Sequence, residues 1–345
     1  MSATQYLQDV ATRHQIFLER FGNGRGREAE QTLNRLRRDI NARLSQEPAD
    51  FHRNRLNQLL IDIEQLSLAT FDSMGVKTLD QIGKLAPVEA SFSAELFNTV
   101  TNIDTGYILP ADSLLATAAI ETPLAIGSAA GFTPKDAMNK FSDAKTKEIL
   151  TKINDSVILG LDTREIANEV GGLVNTLHKR QTRSLINTLI NHTSSVARNE
   201  IYKSNSKYLD GYRWIATLDS KTTLICGSRD RKVYLTGLGP LPPAHYNCRS
   251  TTIPAVKKEF QVAKGATGKR PSIGSDGVEP VNNNLSYGTW LKSQPTEFID
   301  EALGVERSRL FRSGKMKIDK FVDPTGRVYT LQELEGMKPI SMIET

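Results

Sequence analysis

The chain contains two cysteines, and both lie in one stretch beside one of its five histidines. That stretch reads Asp219-Ser-Lys-Thr-Thr-Leu-Ile-Cys226, then Pro242-Pro243-Ala-His245-Tyr-Asn247-Cys248-Arg249-Ser-Thr-Thr-Ile-Pro254. Thiolate and imidazole are the ligands that zinc favours. Cys226, His245 and Cys248 are therefore zinc candidates, with Asp219 or water as the fourth ligand, although no Cys-x-x-Cys pair accompanies them. A Cys226–Cys248 bridge, formed after release from the cell, is a second reading. Cys226, His245 and Asp219 also hold the residue types of a cysteine hydrolase, but the sequence around them lacks a nucleophile context. The zinc deaminase pattern fails for want of a His-x-Glu. The remaining reading, which we favour, packs both thiols and the imidazole into a small polar core. No catalytic residue is assigned, and zinc is the one cofactor the residues suggest.

Arg249 follows the second cysteine, with Asp219 and Asp230 nearby in sequence. An internal Arg–carboxylate pair bracing the loop is the simplest expectation, and a phosphate contact is the functional alternative. Two basic segments raise the same question. Arg35, Arg37, Arg38 and Arg43 lie on helix faces. Lys257, Lys258, Lys264, Lys269 and Arg270 lie in a stretch with few acids and are the better candidates for nonspecific nucleic-acid contact. Neither group is set in a base-reading motif.

These residues need a scaffold, and composition bounds it. The chain has 345 residues, 39% hydrophobic, 24% charged and 7% aromatic, with net charge +5. Such a length allows two or three domains, and few aromatics favour helix packing through Leu, Ile and Ala. Its first residues have no basic or apolar signal region, so no signal peptide is expected. No apolar run reaches the roughly 18–20 residues of a membrane span. Synthesis in the cytoplasm is the natural expectation.

Leu33, Leu36, Ile40 and Leu44 recur at helical spacing, and Leu56, Leu59, Leu60, Ile63 and Leu66 form a second stripe. Pro48 and Asp50 read as the turn between them. Gly22-Asn-Gly24-Arg-Gly26 reads as a break between a short first helix and a long one. The pattern weakens from about Thr101 to Phe132. The small, apolar segment from Thr122 to Phe132 reads as a linker packed on its own domain, with a partner contact as the alternative. Thr133-Pro134 caps a new helix, Ile149, Ile153, Val157 and Ile158 continue its stripe, and Asp162-Thr-Arg-Glu165 resembles a capping box. A long helix follows from about Lys179 to Tyr208, carrying Leu185, Leu189, His192 and Val196 on its apolar side. Strands are expected over 212–218, 232–235 and 250–253, with a rigid Gly/Pro loop over 237–243. Residues 257–284 read as a flexible linker. Beyond it, Tyr287, Trp290 and Leu291 open a helix continued by Phe298, Leu303 and Leu310, then a hairpin over 321–329 and a closing turn at 331–334.

Taken in order, Arg198-Asn-Glu200, Tyr212-Arg-Trp214, Asp219 with Lys221-Thr222, Cys226, and Pro242-Pro243-x-His245-x-Asn247-Cys248-Arg249-Ser250 resemble the phage Mu F-like minor head protein family, the head morphogenesis proteins of tailed bacteriophages. The resemblance covers about residues 140–256. Tyr287-Gly-Thr-Trp290-Leu-Lys-Ser-Gln294, Phe298, Leu303-Gly304, Arg307 and Gly314 resemble stretches that follow that domain in phage head proteins. Membership would imply a structural virion protein in few copies, sited in the head near the portal. Its partners would be the portal protein and/or the major capsid protein. Some relatives bind double-stranded DNA nonspecifically and leave with the genome, and the family implies no established enzymatic activity. Thr223 and Leu224 stand where many relatives have a further cysteine, which weakens the zinc reading. The ninety residues after the core match an ordinary tail, so no toxin fusion is expected.

The expectation is thus an α+β, predominantly α-helical protein. It would have a helical region over 1–110, a head-morphogenesis core over 111–256 in which long helices pack on a small sheet, a basic flexible linker over 257–284 and a short α/β module over 285–345. Asp219, Cys226, Pro242, Pro243, His245, Asn247, Cys248 and Arg249 would form a rigid docking element within the loop 219–254. The rival readings are a DNA-binding protein ejected with the genome and a metal- or cysteine-dependent nuclease or hydrolase.

Overall fold

Long amphipathic helices dominate the protein, as the leucine stripes require. The computed structural model describes residues 2–46, 53–103, 106–126, 131–262, 265 and 267–337. The expected turn at Pro48 and Asp50, the linker positions 127–130 and the candidate contact Lys264 lie outside the described residues. Helix α1 spans Ala3–Leu44, α2 Arg53–Thr99, α3 Asp112–Glu121, α4 Pro134–Ile158, α5 Thr163–Leu173 and α6 Lys179–Ser204. Leu33, Leu36, Ile40 and Leu44 of α1 are buried with Leu59 and Ile63 of α2, Ile149 and Ile153 of α4, and Leu185 and Leu189 of α6. One core therefore runs through residues 1–110 and the segment after them. The expected boundary near 110 is not a packing boundary, because the α1 stripe has its partners beyond it. Among the described residues no helix is long and apolar enough to cross a membrane.

Local signals hold where side chains cap the backbone. Thr133 accepts from the Asp136 amide, with Pro134 opening α4. Asp162 and Glu165 form the reciprocal box at the start of α5. A π-helical turn over Val174–His178 joins α5 to α6.

The glycine run is a different matter. Gly22 to Gly26 does not break the chain, and α1 continues through it. A Cβ at Gly22 would lie 2.3 Å from Asn187 Oδ1, and one at Gly26 would lie 3.0 Å from Arg183 Cγ. These glycines let α1 approach α6 closely, which is a packing role and not a turn signal.

Helix α3 fell in the weak stretch because its contacts are alanines. Leu115 and Ala119 pack on Ala86, Ala90 and Ala94 of α2 and on Ala197 and Ile201 of α6. Small residues bring helices together without the leucine stripe that marks an amphipathic face.

Strands β1 (Leu209–Ile215), β3 (Val233–Tyr234) and β4 (Thr251–Val256) form an antiparallel sheet in the order β3-β1-β4. A second sheet joins β2 (Leu218–Asp219) in parallel to β5 (Lys269–Gly274), which pairs antiparallel with β6 (Gly277–Asn282). This hairpin occupies the expected linker. Its inward residues are Arg270, Ser272 and Gly274, so the period-two burial carries no hydrophobic alternation. The Asp276-Gly277 turn, with Gly277 at φ 97°, was the available signal.

The last segment is a compact module. Helices α7 (Leu224–Arg229), α8 (Tyr287–Lys292), α9 (Thr296–Leu303), α10 (Val305–Arg312) and α11 (Leu331–Glu335) surround a Val322–Val328 bridge. Pro295 and Gly304, the latter at φ 77°, divide the single helix expected there into α8, α9 and α10. Tyr287, Trp290, Leu291, Phe311 and Phe321 share a core with Leu218 of β2. The architecture is a predominantly α-helical α+β fold.

Candidate functional site

Two local structures bring the cysteines and the histidine together. Thr223 caps α7, accepting from the Cys226 amide at 3.4 Å, and this turn sends Cys226 inward. His245 to Cys248 form a tight turn in which the Cys248 amide donates to the His245 carbonyl at 3.2 Å. Asn247 sits in the left-handed region at φ 58°, a conformation asparagine tolerates. The Pro242–Pro243 peptide that precedes the turn is cis.

The turn is fastened to α6. The Asn247 amide donates to Thr188 Oγ1 at 3.0 Å, and its Nδ2 donates to Ser184 Oγ at 2.8 Å. Asn191 Nδ2 donates to the Cys248 carbonyl at 2.6 Å. So held, the Cys248 sulfur lies 3.6 Å from the Cys226 sulfur, and the latter lies 3.3 Å from His245 Nε2. All three donor atoms lie within 4.8 Å of one another. The sulfur separation far exceeds the ~2.05 Å of a disulfide, and both thiols are free. One wall of the cluster is apolar, formed by Trp214, Ala216 and Ala244, so the expected small polar core is only half polar.

Burial pushes the Cys248 thiol up, but hydrogen bonds from Cys226 and His245 outweigh it and hold Cys248 well below the usual thiol range. The Cys226 thiol is pushed well up, first by its hydrogen bond to Cys248 and then by burial. Burial alone would lower His245, yet the hydrogen bond and charge of Cys248 raise it. The nearness of the two sulfurs to one another and to His245 thus favours ionisation of one of the two thiols.

Asp219 belongs to a different interaction. Both its oxygens take the guanidinium of Arg249, Nη2 meeting Oδ1 at 2.9 Å. Oδ1 also accepts from the Lys221 amide at 3.1 Å and from Thr222 Oγ1 at 3.2 Å. The expected internal Arg–carboxylate brace is present, and Asp219 holds Arg249 above its ordinary value against the effect of burial. Asp219 is consequently not in the donor cluster and is not the fourth ligand. Nor does it orient the imidazole, since His245 Nδ1 lies 2.8 Å from the Tyr246 carbonyl. The Cys–His–Asp constellation of a hydrolase is not assembled.

The basic candidates scatter. Arg270 is 1% exposed. It pairs with Asp230 at 3.4 Å and donates to the Ala216 and Leu285 carbonyls. Its placement as a nucleic-acid contact is corrected: it ties β5 to the strand connection and to the C-terminal module. Lys257 Nζ donates to the Lys207 carbonyl at 2.9 Å, while Lys258 and Lys269 are exposed.

Two acidic residues carried no sequence signal. Glu19 of α1 and Asn187 and Asn191 of α6 line a cavity of ≈400 Å³ together with Lys221, His245 and Cys248. Burial raises Glu19 to about 7, with Arg249 opposing and the negative charges of Asp219 and Cys248 adding to the rise. Glu89 of α2 is fully buried and accepts from Ser194 Oγ at 2.6 Å and from Arg198 at 3.4 Å, with His14 Nε2 at 2.8 Å. Burial would raise Glu89, but the His14 hydrogen bond and the Arg198 charge hold it below its ordinary value. Arg198 also reaches Thr251 of β4, so this network joins α1, α2, α6 and the first sheet.

Compared with known proteins, the chain matches no family model, no curated protein and no solved structure.

Proposed function

We propose that this chain is a structural minor head protein of a tailed phage. It would dock at the portal or inner capsid through the loop 219–254 and support head assembly and DNA packaging or delivery. One observation carries the reading: the loop spends its polar motif residues on contacts within the protein, to itself and to α6, and turns apolar ones outward. Asn247, Asp219 and Arg249 are consumed by internal hydrogen bonds. Leu238 is 82% exposed, and Leu235 and Tyr246 are also exposed. A rigid element that presents apolar side chains to solvent fits a partner surface better than a substrate. The resemblance of the Pro242-Pro243-x-His245-x-Asn247-Cys248-Arg249 element supports the identity of that partner. No catalytic role is part of the proposal.

The test is binding of the purified full chain to the portal oligomer encoded by the same genome. Saturable binding is expected, and Leu235→Asp with Leu238→Asp should weaken it at least tenfold while leaving the circular dichroism spectrum unchanged. Binding that is absent, or indifferent to both substitutions, would overturn the docking assignment.

A further inference from the structure

Two of the three donor separations in the cluster are close to those of a metal centre, the third lies within 4.8 Å, and the residue types fit as well. Tetrahedral zinc with ordinary Zn–S and Zn–N bonds holds two sulfurs about 3.8 Å apart and a sulfur and a nitrogen about 3.5–3.6 Å apart. The observed separations are 3.6 Å between Cys226 and Cys248 and 3.3 Å between Cys226 and His245 Nε2. The outer contacts suit an ion too. The Tyr246 carbonyl takes the Nδ1 proton of His245 at 2.8 Å, which leaves Nε2 as the ligand nitrogen, the usual way a second partner fixes a metal-binding tautomer. The turn bearing His245 and Cys248 is fixed to α6 through Asn247 and Asn191, so two ligands are positioned before any ion arrives. The absent Cys-x-x-Cys spacing is replaced by a tertiary approach of α7 to this turn.

We propose that Cys226, Cys248 and His245 Nε2 bind one zinc ion whose fourth position is held by water or a small anion from the cavity that His245 and Cys248 line. Two sulfurs and one imidazole in a buried, compact site select zinc over the oxygen-seeking cations. Binding forms two Zn–S bonds and one Zn–N bond. Any proton remaining on Cys226, Cys248 or Nε2 passes to solvent, and no oxidant or reductant is involved. The ion would fix the loop on which docking depends, yet the inference does not rest on the head-protein reading.

Metal analysis of the full chain, expressed with zinc and desalted over a chelating resin, tests it. Stoichiometric zinc is expected, lost in Cys226→Ser and Cys248→Ser and kept in the exposed Lys258→Gln. If the serine variants fail to fold, cobalt(II) added to wild-type apoprotein gives the independent readout. Tetrahedral ligand-field bands and thiolate-to-cobalt charge transfer are expected, and azide should shift the bands if solvent holds the fourth position. A wild-type protein that retains no zinc and gives no such cobalt spectrum would overturn the site. A Cys226–Cys248 disulfide in freshly isolated protein would do the same. An azide-indifferent cobalt spectrum would overturn the solvent-held fourth position.

Discussion

Breaking the Asp219–Arg249 pair should cost far less in the double variant than the two single losses summed. The Asp219 side chain is 5% exposed and the Arg249 side chain 25% exposed. Removing one partner of a fully buried pair costs about 3–5 kcal/mol, because the other charge stays desolvated. Asp219→Asn leaves a guanidinium that can turn toward the adjoining cavity, so about 2–3 kcal/mol is expected for it. Arg249→Gln leaves a nearly buried carboxylate supported only by the Lys221 amide and the Thr222 hydroxyl, and about 3–4 kcal/mol is expected. In the double variant neither charge remains, so the coupling should be about 2 kcal/mol. Urea unfolding followed by tryptophan fluorescence reads this well, since Trp214 sits in the motif cluster and Trp290 in the C-terminal core. Coupling below about 0.5 kcal/mol, or an Arg249→Gln variant as stable as wild type, would refute the brace and favour an arginine held ready for a phosphate.

Other outcomes follow from the same contacts. Glu19 is raised from 4.5 to about 7, so between those values the folded protein keeps a proton the unfolded chain has lost, and stability falls as pH rises through that window. Glu19→Gln should remove this slope, leaving the variant about 1–3 kcal/mol more stable than wild type at pH 8 and little changed near pH 5; parallel melts at the two pH values decide it. Gly227→Ala would place a Cβ 2.5 Å from the buried Tyr287 ring, and overpacking of about 1–3 kcal/mol should exceed the ~1 kcal/mol gained in helix propensity, as a lowered urea midpoint would report. Glu89→Gln leaves Arg198 buried without its carboxylate and should cost about 3–5 kcal/mol in the same unfolding assay.

Much of the fold was legible where one side chain type repeats or caps. Leu33, Leu36, Ile40 and Leu44 announced α1, and Thr133 and Asp162 announced the starts of α4 and α5. The sequence misled where packing used small or polar residues. Gly22 and Gly26 looked like breakers because their close neighbours, Asn187 and Arg183, are far away in the chain. The β5–β6 hairpin looked like a linker because its inward residues include an arginine, whose partners lie outside the hairpin, and a serine bonded across it, with no apolar alternation.

At the site, Cys226, His245 and Cys248 were visible from composition alone. Asn191, Ser184 and Glu19 were not, since their relation to the motif arises only when α1 and α6 converge beneath the turn. An internal pair of Arg249 with a nearby carboxylate was expected, with Asp219 and Asp230 both open as partners, and Asp219 is the one that meets it. Its suggested roles as zinc ligand or hydrolase carboxylate failed because that pairing, together with Lys221 and Thr222, uses both its oxygens.

The most direct measurement is quantitative mass spectrometry of purified particles produced from the genome that encodes this chain. Its peptides are expected in the particle fraction, in few copies and in fixed ratio to the portal protein. A chain found only in the soluble lysate, and absent from particles that package DNA normally, would contradict the assignment.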